Sequence, residues 1–453
     1  MTSPTIMWFR RDLRLAAQPT MTDAQDGGTT CAVFVLDLGL WSGAGAARRT
    51  FLRATLIELD DALDGRLVVK IGDPVEVLPA LARSIGATAV VCGWDWTPVA
   101  LRRDQAVAAA LERDGVSLRR VGSPYAVPPG TITTGADRPY RVFTPYHRKW
   151  QQLPVNVPSD ADAHGVVVPA GVRSDPLPTD DADAALSVPP GRAGALATLR
   201  AFLDGPVEHY PDHRDDAAAD ATSRLSAALH FGCLHPSEIL GRLDSSRPAQ
   251  AAFARQIAWR DFYAQVVADR PDSAWADYRP EASVEVDGGP ETAPAFAAWC
   301  QGRTGFPYVD AGMRQLLAEG WMHNRLRMVT ASFLVKDLHL DWRRGARHFL
   351  RHLVDGDIAN NNHGWQWVAG TGTDASPYHR IFNPTAQGRR FDPDGRYIRR
   401  WVPELAEIDG DDVHEPMGTL AAGATGYPPP IVDHATERQD ALRRLEQAKQ
   451  RRG

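Results

Sequence analysis

The residue types best suited to chemistry lie close together in the second half of the chain. Trp321-Met322-His323-Asn324-Arg325-Leu326-Arg327-Met328 is followed about thirty residues later by Asp355-Gly356-Asp357 and Asn360-Asn361-Asn362. On a helix Asn324, Arg327 and Met328 share a face, because they stand three and four residues apart. Asp357 and Asn361 share one too if Asp355–Trp365 is helical. An arginine facing a carboxylate is the usual way to keep both charges inside a protein. Directional polar groups on one wall, with aromatics nearby, suit a planar heterocycle with imide and amide edges. A buried ion-pair network that only joins helices has the same composition, so the residues alone leave both readings open.

Two further segments add to this. Thr222-Ser223-Arg224-Leu225-Ser226 precedes an apolar run. Hydroxyls and backbone N–H groups at the mouth of a helix suit a phosphate or diphosphate; a plain Ser/Thr helix cap is the simpler alternative. Trp365-Gln366-Trp367, Trp342 and Trp259-Arg260-Asp261-Phe262-Tyr263 supply indoles. A tryptophan in a helical domain is usually core, but clustered indoles beside heterocycle-binding groups suit base stacking or electron transfer.

The elements that must position these residues follow from hydrophobic periodicity. Apolar runs at Ile6–Phe9, Cys31–Leu36, Leu67–Ile71, Thr88–Cys92 and Ser117–Val121 alternate with helical patterns at Arg48–Leu63, Pro74–Ile85 and Val99–Arg113. Such alternation predicts an α/β, doubly wound, mostly parallel sheet covered by helices on both faces. Residues 1–130 are expected to form this domain. Residues 151–194 hold seven of the 34 prolines and no Phe, Trp or Tyr, so 131–194 is expected to be an interdomain linker crossing the surface. From 195 to 453 helical patterns dominate, predicting an all-α domain that ends in a charged helical segment, Asp433–Gly453.

Composition excludes several classes. An apolar content of 43% and a charged content of 23% are those of a globular protein, not a disordered one. No apolar run approaches the ~20 residues that span a bilayer, and Met1–Arg14 lacks the features of a signal peptide. Cys31, Cys92, Cys233 and Cys300 are far apart, which argues against a disulfide framework or a metal knuckle. No metal is expected, and a reduced, cytoplasmic setting is. No glycine fingerprint follows the first strand, so a nicotinamide reaction has little support. The net charge is −6, yet residues 301–400 carry 15 Lys/Arg, 9 Asp/Glu and six His. That local excess suits steering toward a polyanion, although a solvated helical surface has the same look.

Taken together, these segments resemble the photolyase/cryptochrome family, most nearly the bacterial photolyases that act on cyclobutane pyrimidine dimers. The matching stretches are WFRRDLRL at Trp8–Leu15, TSRLS at Thr222–Ser226, WRDFY at Trp259–Tyr263 and GRTGFPYVDAGMRQL at Gly302–Leu316. They continue with GWMHNRLRM at Gly320–Met328, SFLVKDLHLDWRRG at Ser332–Gly345, VDGDIANNNHGWQWVAGTGTDASPYHRIFNP at Val354–Pro384 and RYIRRWVPEL at Arg396–Leu405.

The resemblance implies a helical domain that holds FAD, and a light-driven lyase that repairs dimers in damaged DNA by electron transfer from reduced FAD. It also implies an antenna-chromophore site in the N-terminal domain. Carried over by position, Tyr210, Thr222, Ser223, Arg224, Leu225 and Ser226 would hold the diphosphate and ribitol. Arg327 would pair with Asp355 beside the isoalloxazine. Gly356 and Asp357 would lie at its pyrimidine edge, and Asn361 at N5. Asn324 and Arg260 belong to the same cofactor set. Gln256, Trp259, Asn324, Met328, Asn361 and Trp367 would form the catalytic site, with Trp259 and Trp367 as the aromatic walls against a flipped-out dimer. Arg214, Gln256, Trp259, Arg260, Asn324, Arg325, Arg380 and Gln387 would meet the DNA. Trp365 and Trp342 match the inner and middle members of the family's electron-transfer chain. Arg10, Phe34, Asp37, Arg48 and Asp95 look like an antenna site for 8-hydroxy-5-deazaflavin rather than a folate. A monomer is expected.

The chain departs from the family pattern in three places. Gly289 stands where the outer tryptophan of the electron-transfer chain is usual; Trp275, Tyr278, Trp321 and Tyr308 are candidates to replace it. Gln256 stands where dimer-type enzymes commonly have Glu, and Gln is typical of (6-4) photolyases and animal cryptochromes. However, His323-Asn324-Arg325 lacks the histidine pair in which (6-4) enzymes resemble one another. Ala16-Ala17-Gln18 replaces the usual His-Asp-Asn after RDLRL. Cyclobutane-dimer repair is expected ahead of (6-4) repair. It is also expected ahead of a cryptochrome-like blue-light sensor, since sensors commonly carry a long extension beyond the point at which this sequence stops.

Overall fold

The computed structural model describes residues 4–179, 184–374, 380–418 and 426–451. Four short runs rich in apolar and β-branched residues become β1 (Thr5–Phe9), β2 (Thr30–Leu36), β3 (Val68–Ile71) and β4 (Ala89–Cys92), and the mostly polar segment Ser-Leu-Arg-Arg forms the edge strand β5 (Ser117–Arg120). All pair in parallel, in the order β3-β2-β1-β4-β5. Every residue of β1, β2 and β4 is buried, as expected where helices cover both faces of a parallel sheet. The crossovers carry α1 (Pro19–Asp26), α2 (Leu38–Gly43), α3 (Ala46–Ala62), α4 (Pro74–Ile85) and α5 (Pro98–Glu112). Local chemistry sets their ends. The Asp73 carboxylate accepts the Val75 N–H, Pro74 opens α4, and Gly86 closes it at φ 66°. Strand order reverses between β1 and β4, so the crevice beyond their C-terminal ends is the switch point where such sheets bind ligands.

The expected linker is more ordered than its composition suggests. It contains α6 (Phe143–Trp150), and its backbone is tied to the sheet. Thr30 N donates to Gly165 O at 2.9 Å and Val167 N to Thr30 O at 2.9 Å. Ser174 Oγ accepts from Val69 N at 2.9 Å. Residues 180–183 of this stretch lie outside the described residues.

The chain divides into two compact units, and the boundary is not the one expected at residue 195. The first unit comprises 1–208 and 223–271, the second 209–222 and 272–453. Thus α7 (Gly191–Leu203) and, after the short α8 (Tyr210–His213) of the second unit, α9 (Ser226–Phe231), α10 (Pro236–Leu240) and α11 (Pro248–Asp269) belong with the sheet. Side-chain contacts explain this in part: Phe51 of α3 stacks on Phe231 at 5.0 Å, and the half-buried Arg192 of α7 pairs with buried Glu238 of α10 at 2.7 Å.

The second unit is helical: α12 (Ala293–Gln301), α13 (Pro307–Glu319), α14 (Asn324–Ser332), α15 (Trp342–His352), α16 (Ile358–Ala369), α17 (Pro384–Phe391), α18 (Arg396–Trp401) and α19 (His434–Gln450). Its core gathers Trp299, Met313, Leu326, Phe333, Trp342, Phe349, Trp365 and Ile398. A π-helical turn, Phe333–Asp337, follows α14. The tail segment is helical as expected, with Asp433 capping it.

Candidate functional site

The polar wall anticipated in the second unit is present. His323 caps α14 by accepting the Arg325 N–H at 3.1 Å, which starts the helix at Asn324. Asn324 Nδ2 approaches Met328 Sδ at 3.8 Å, so these residues do share a face. One turn along, Arg327 Nη2 bonds Asp355 Oδ2 at 2.9 Å while its Nε donates to Met322 O at 2.8 Å. The Asp355 side chain is only 3% exposed and that of Arg327 27%, a largely sheltered pair.

The helix expected over Asp355–Trp365 begins later, at Ile358, because Asp357 is its cap. Asp357 Oδ1 accepts Asn360 N at 3.0 Å and Asn360 Nδ2 at 2.9 Å. Asp355 and Gly356 therefore sit in the preceding turn. Asn361, one turn into α16, donates from Nδ2 to Ala346 O at 3.1 Å and to Asn362 Oδ1 at 2.8 Å, so its Oδ1 is left as the acceptor. Farther along the same helix Trp365 is buried and Trp367 half-buried. Asp355, Asp357 and Trp365 are thus gathered by one turn and its helix.

Trp365 packs edge-on against Phe349 at 5.1 Å and Trp299 at 6.0 Å. Gly345 on α15 permits this, since a Cβ there would overlap the Trp365 ring. Trp342 Nε1 donates to Asp277 Oδ1 at 2.8 Å. Burial acts to raise the Asp277 pKa, but hydrogen bonds from Ser283 and Trp342 and the charge of Arg343 outweigh it and hold the carboxyl below its usual range. Trp299, which its position does not mark as the third electron donor, is a tryptophan in contact with Trp365. Trp275 lies under the Arg347 guanidinium at 5.0 Å.

Other expected residues of this unit lie near its surface. Arg214, Asn324 and Arg380 are exposed; Gln387 is half-buried. Arg325 is held by Asp215 at 2.9 Å and lies over the Phe391 ring at 4.2 Å. Tyr210 is buried, and burial pushes its phenol up to about 12. Residues 375–379, inside the Val354–Pro384 match, lie outside the described residues.

In the first unit, Ser223–Ser226 lead into α9. Its cap position, Leu225, makes no side-chain cap bond, so the simple hydroxyl-cap reading does not hold. Ser223 Oγ accepts from Leu225 N at 3.4 Å, and Arg224 takes a left-handed φ of 49°. On α11, Gln256 Nε2 donates to Ala252 O at 3.3 Å. Trp259 is half-buried and lies flat on Phe143, with centroids 3.6 Å apart and planes 8° from parallel.

Arg260 departs from the expectation of a cofactor or DNA contact. It is 9% exposed, donates to Pro124 O at 2.7 Å and Leu229 O at 3.0 Å, and lies over Tyr125 at 4.6 Å. With both terminal nitrogens engaged by carbonyls, it packs the unit together. Phe143 is the functional candidate that sequence reasoning missed.

Four of the five expected antenna residues fall at or near strand C-termini. Arg10 follows β1 and Asp95 follows β4, on the two sides of the switch point; Phe34 and Asp37 are at the end of β2. Several are engaged internally. Arg10 pairs with Asp104 at 2.5 Å, bonds the Gly93 carbonyl and lies over Trp8 at 4.7 Å. Asp37 caps α2 through Gly39 N at 2.8 Å. Asp95 accepts from Thr97 N at 3.0 Å and faces Arg11 at 3.8 Å. Arg48 is half-buried on α3. Arg10 is therefore a buried ion-pair residue lining this crevice rather than an open ligand arm.

Thr222 Oγ1 and Trp365 Nε1 are among the buried side-chain polar atoms of the second unit that have no hydrogen-bond partner within the protein. Such atoms call for a partner of another kind. With the Arg327–Asp355 pair they supply donor and acceptor types of the kind a flavin nucleotide can use.

Comparison with known proteins agrees. Residues 5–162 match the model described as DNA photolyase, and 253–447 the FAD binding domain of DNA photolyase. A Streptomyces griseus protein named deoxyribodipyrimidine photo-lyase is 44% identical, over 96% of this chain and 98% of its own length. A bacterial class III photolyase structure from Agrobacterium tumefaciens superposes with a TM-score of 0.91 at 35% identity, covering 99% of this chain and 98% of the other. A Synechocystis cryptochrome structure gives 0.87 at 26% identity, with coverages of 97% and 99%. In its parallel sheet, its helical FAD-binding region and its sequence over nearly the whole length, this chain belongs to the DNA photolyase family.

Proposed function

We propose that the protein is a light-driven lyase that repairs cyclobutane pyrimidine dimers in DNA. The observation that carries this reading is the sheltered Arg327–Asp355 pair beside the turn and helix bearing Asp357, Asn361 and Trp365. FAD, when bound and reduced, supplies the electron that opens the cyclobutane ring after absorbing blue or near-UV light, and accepts it back.

The chain's own residues prepare that step. Arg327, neutralised by Asp355, offers guanidinium N–H groups without adding net charge next to the cofactor. Asp357 orients α16, and through it Asn361, whose neutral amide does not repel an anionic reduced flavin as a carboxylate would. Trp365, with Trp342, provides oxidisable side chains for restoring the reduced state. The dimer must leave the duplex to be reached, and photolyases are among the enzymes that extrude their target base. Trp259 and Gln256 of the first unit, and Trp367, Asn324 and Met328 of the second, are each proposed to meet the extruded dimer, the two indoles through their ring faces. Arg214, Arg325, Arg380 and Gln387 would meet the strand, consistent with the basic balance of residues 301–400.

An antenna chromophore at the β1/β4 crevice, 8-hydroxy-5-deazaflavin rather than a folate, completes the proposal. Arg11 and Asp95, which line that crevice, would be its polar contacts there, with Arg48 of α3 a further candidate. Among the described residues no helix is long and apolar enough to cross a membrane; a monomer acting in the cytoplasm is the working state proposed. The test is illumination of the flavin-loaded, chemically reduced protein with an oligonucleotide containing a thymine dimer. Dimer loss in light and none in the dark is expected; no loss in either would refute the reading.

A further inference from the structure

We infer that Phe143 is a positioning residue for lesion recognition: it holds the Trp259 indole in one orientation, so that only the uncovered part of that ring is offered to a pyrimidine dimer. The inference rests on the reading of Trp259 as a lesion wall and adds to it a partner more than a hundred residues away in sequence.

The contact is unusually close. Aromatic pairs in proteins prefer offset or edge-on arrangements with centroids ~4.5–7 Å apart. Phe143 and Trp259 instead lie face to face at 3.6 Å and 8°. The stack is held from several sides. Phe262 meets Trp259 edge-on at 5.7 Å and Phe143 at 5.7 Å, and Tyr263 is 5.4 Å from Trp259. The Arg255 guanidinium lies 5.3 Å from the Phe143 centroid, and His147 stacks on Phe143 at 5.3 Å. Burial, with the charge of Arg255 acting the same way, lowers the His147 pKa and favours its neutral form, so Phe143 is not flanked by two cations.

Phe143 itself is 1% exposed while Trp259 is half-buried. The buried ring thus fixes the exposed one. An indole free to turn about χ1 and χ2 loses that freedom when a ligand packs on it, which weakens binding. With Phe143 behind it, Trp259 has lost that freedom before the dimer arrives. α6 thereby gains a part in recognition, although it lies within residues 131–194, which read as a linker.

The test uses flavin-loaded, reduced protein and measures dark binding of oligonucleotides with and without a thymine dimer, then repair at saturating DNA. Trp259→Ala should lose most of the preference for damaged DNA. Phe143→Leu should weaken binding of the damaged strand about tenfold, close to the upper end of what an aromatic pair contributes. It should leave binding of undamaged DNA, the flavin spectrum and repair at saturation unchanged. Phe143→Tyr should restore affinity, and adding Phe143→Leu to Trp259→Ala should cost nothing further.

The inference is overturned if Phe143→Leu leaves damage preference intact while Trp259→Ala abolishes it, or if it lowers both affinities equally. It is also overturned if neither Phe143→Leu nor Phe143→Met folds while Phe143→Tyr does, since the ring would then be needed for packing. If Trp259→Ala has no effect, the reading of Trp259 fails first and takes this inference with it.

Discussion

Removing the Asp355 carboxylate should expose how much the proposed flavin-binding wall depends on one ion pair. Asp355 is nearly inaccessible, and Arg327 keeps about a quarter of its side-chain surface in water. Stripping one partner from a fully buried pair costs ~3–5 kcal/mol, while exposed pairs contribute ~0.2–1 kcal/mol. The mixed burial here places Asp355→Ala at about 2 kcal/mol. A cooperative unit of roughly 200 residues loses ~2–4 °C per kcal/mol, so melting should fall by roughly 4–8 °C. Asp355→Asn keeps an acceptor for the Arg327 N–H and should lose about half as much. The assay is thermal unfolding with and without FAD. In the parent protein FAD at a hundredfold over its dissociation constant adds ~2.7 kcal/mol; in Asp355→Ala at the same concentration the gain should shrink. Equal melting temperatures for parent and Asp355→Ala, with equal gains from FAD, would refute the reasoning.

Trp365→Phe should slow photoreduction of oxidised flavin and leave repair by pre-reduced enzyme nearly intact; equal loss of both would contradict an electron-relay role. Asn361→Asp places a negative charge where the amide stands and should disfavour the anionic reduced flavin, read as a more negative reduction potential; an unchanged potential would count against that placement. Acid should destabilise the fold through buried histidines. Burial chiefly lowers His235 to about 3, His363 to about 3 and His348 to about 4, against 6.5 in the unfolded chain. Their folded pKa values are depressed, so the unfolded state binds more protons below pH 6.5 and stability falls as pH drops, by ~1.4 kcal/mol per unit for each histidine. His235→Gln should flatten the melting profile between pH 6.5 and 4.5, because neutral His235 accepts the Ser237 N–H at 3.2 Å while its other nitrogen meets Ser123 O at 3.0 Å. An unaltered slope would reject that assignment.

Much of this was legible in the residues themselves. The five strands lie within a residue of the segments read for them; β1, β2 and β4 do so because strands buried on both faces need uninterrupted apolar sequence, whereas the edge strand β5, Ser-Leu-Arg-Arg, is partly open to solvent. Helix α4 begins and ends where Asp73, Pro74 and Gly86 mark it. Asn324 and Met328 met as their spacing requires. Less could be read where tertiary contact overrides local pattern. Asp357 looked like an interior helical residue and is a cap, since its side chain competes for the free N–H groups of the first turn. Arg260 sits in a motif expected at the DNA, but its carbonyl partners Pro124 and Leu229 are distant in sequence. The stacking of Phe143 on Trp259, and of Trp299 against Trp365, joins residues that no periodicity relates. The unit boundary near residue 208 was hidden because helices alone do not say which core they cover.

Lesion specificity under light is the most direct test. Reduced, flavin-loaded protein is given two oligonucleotides under blue light, one with a cyclobutane thymine dimer and one with a (6-4) photoproduct, with dark controls. Light-dependent loss of the cyclobutane dimer alone is the expected result and makes Gln256 a tolerated variation. Loss of only the (6-4) product, or of neither lesion by a protein that holds its flavin, would contradict it.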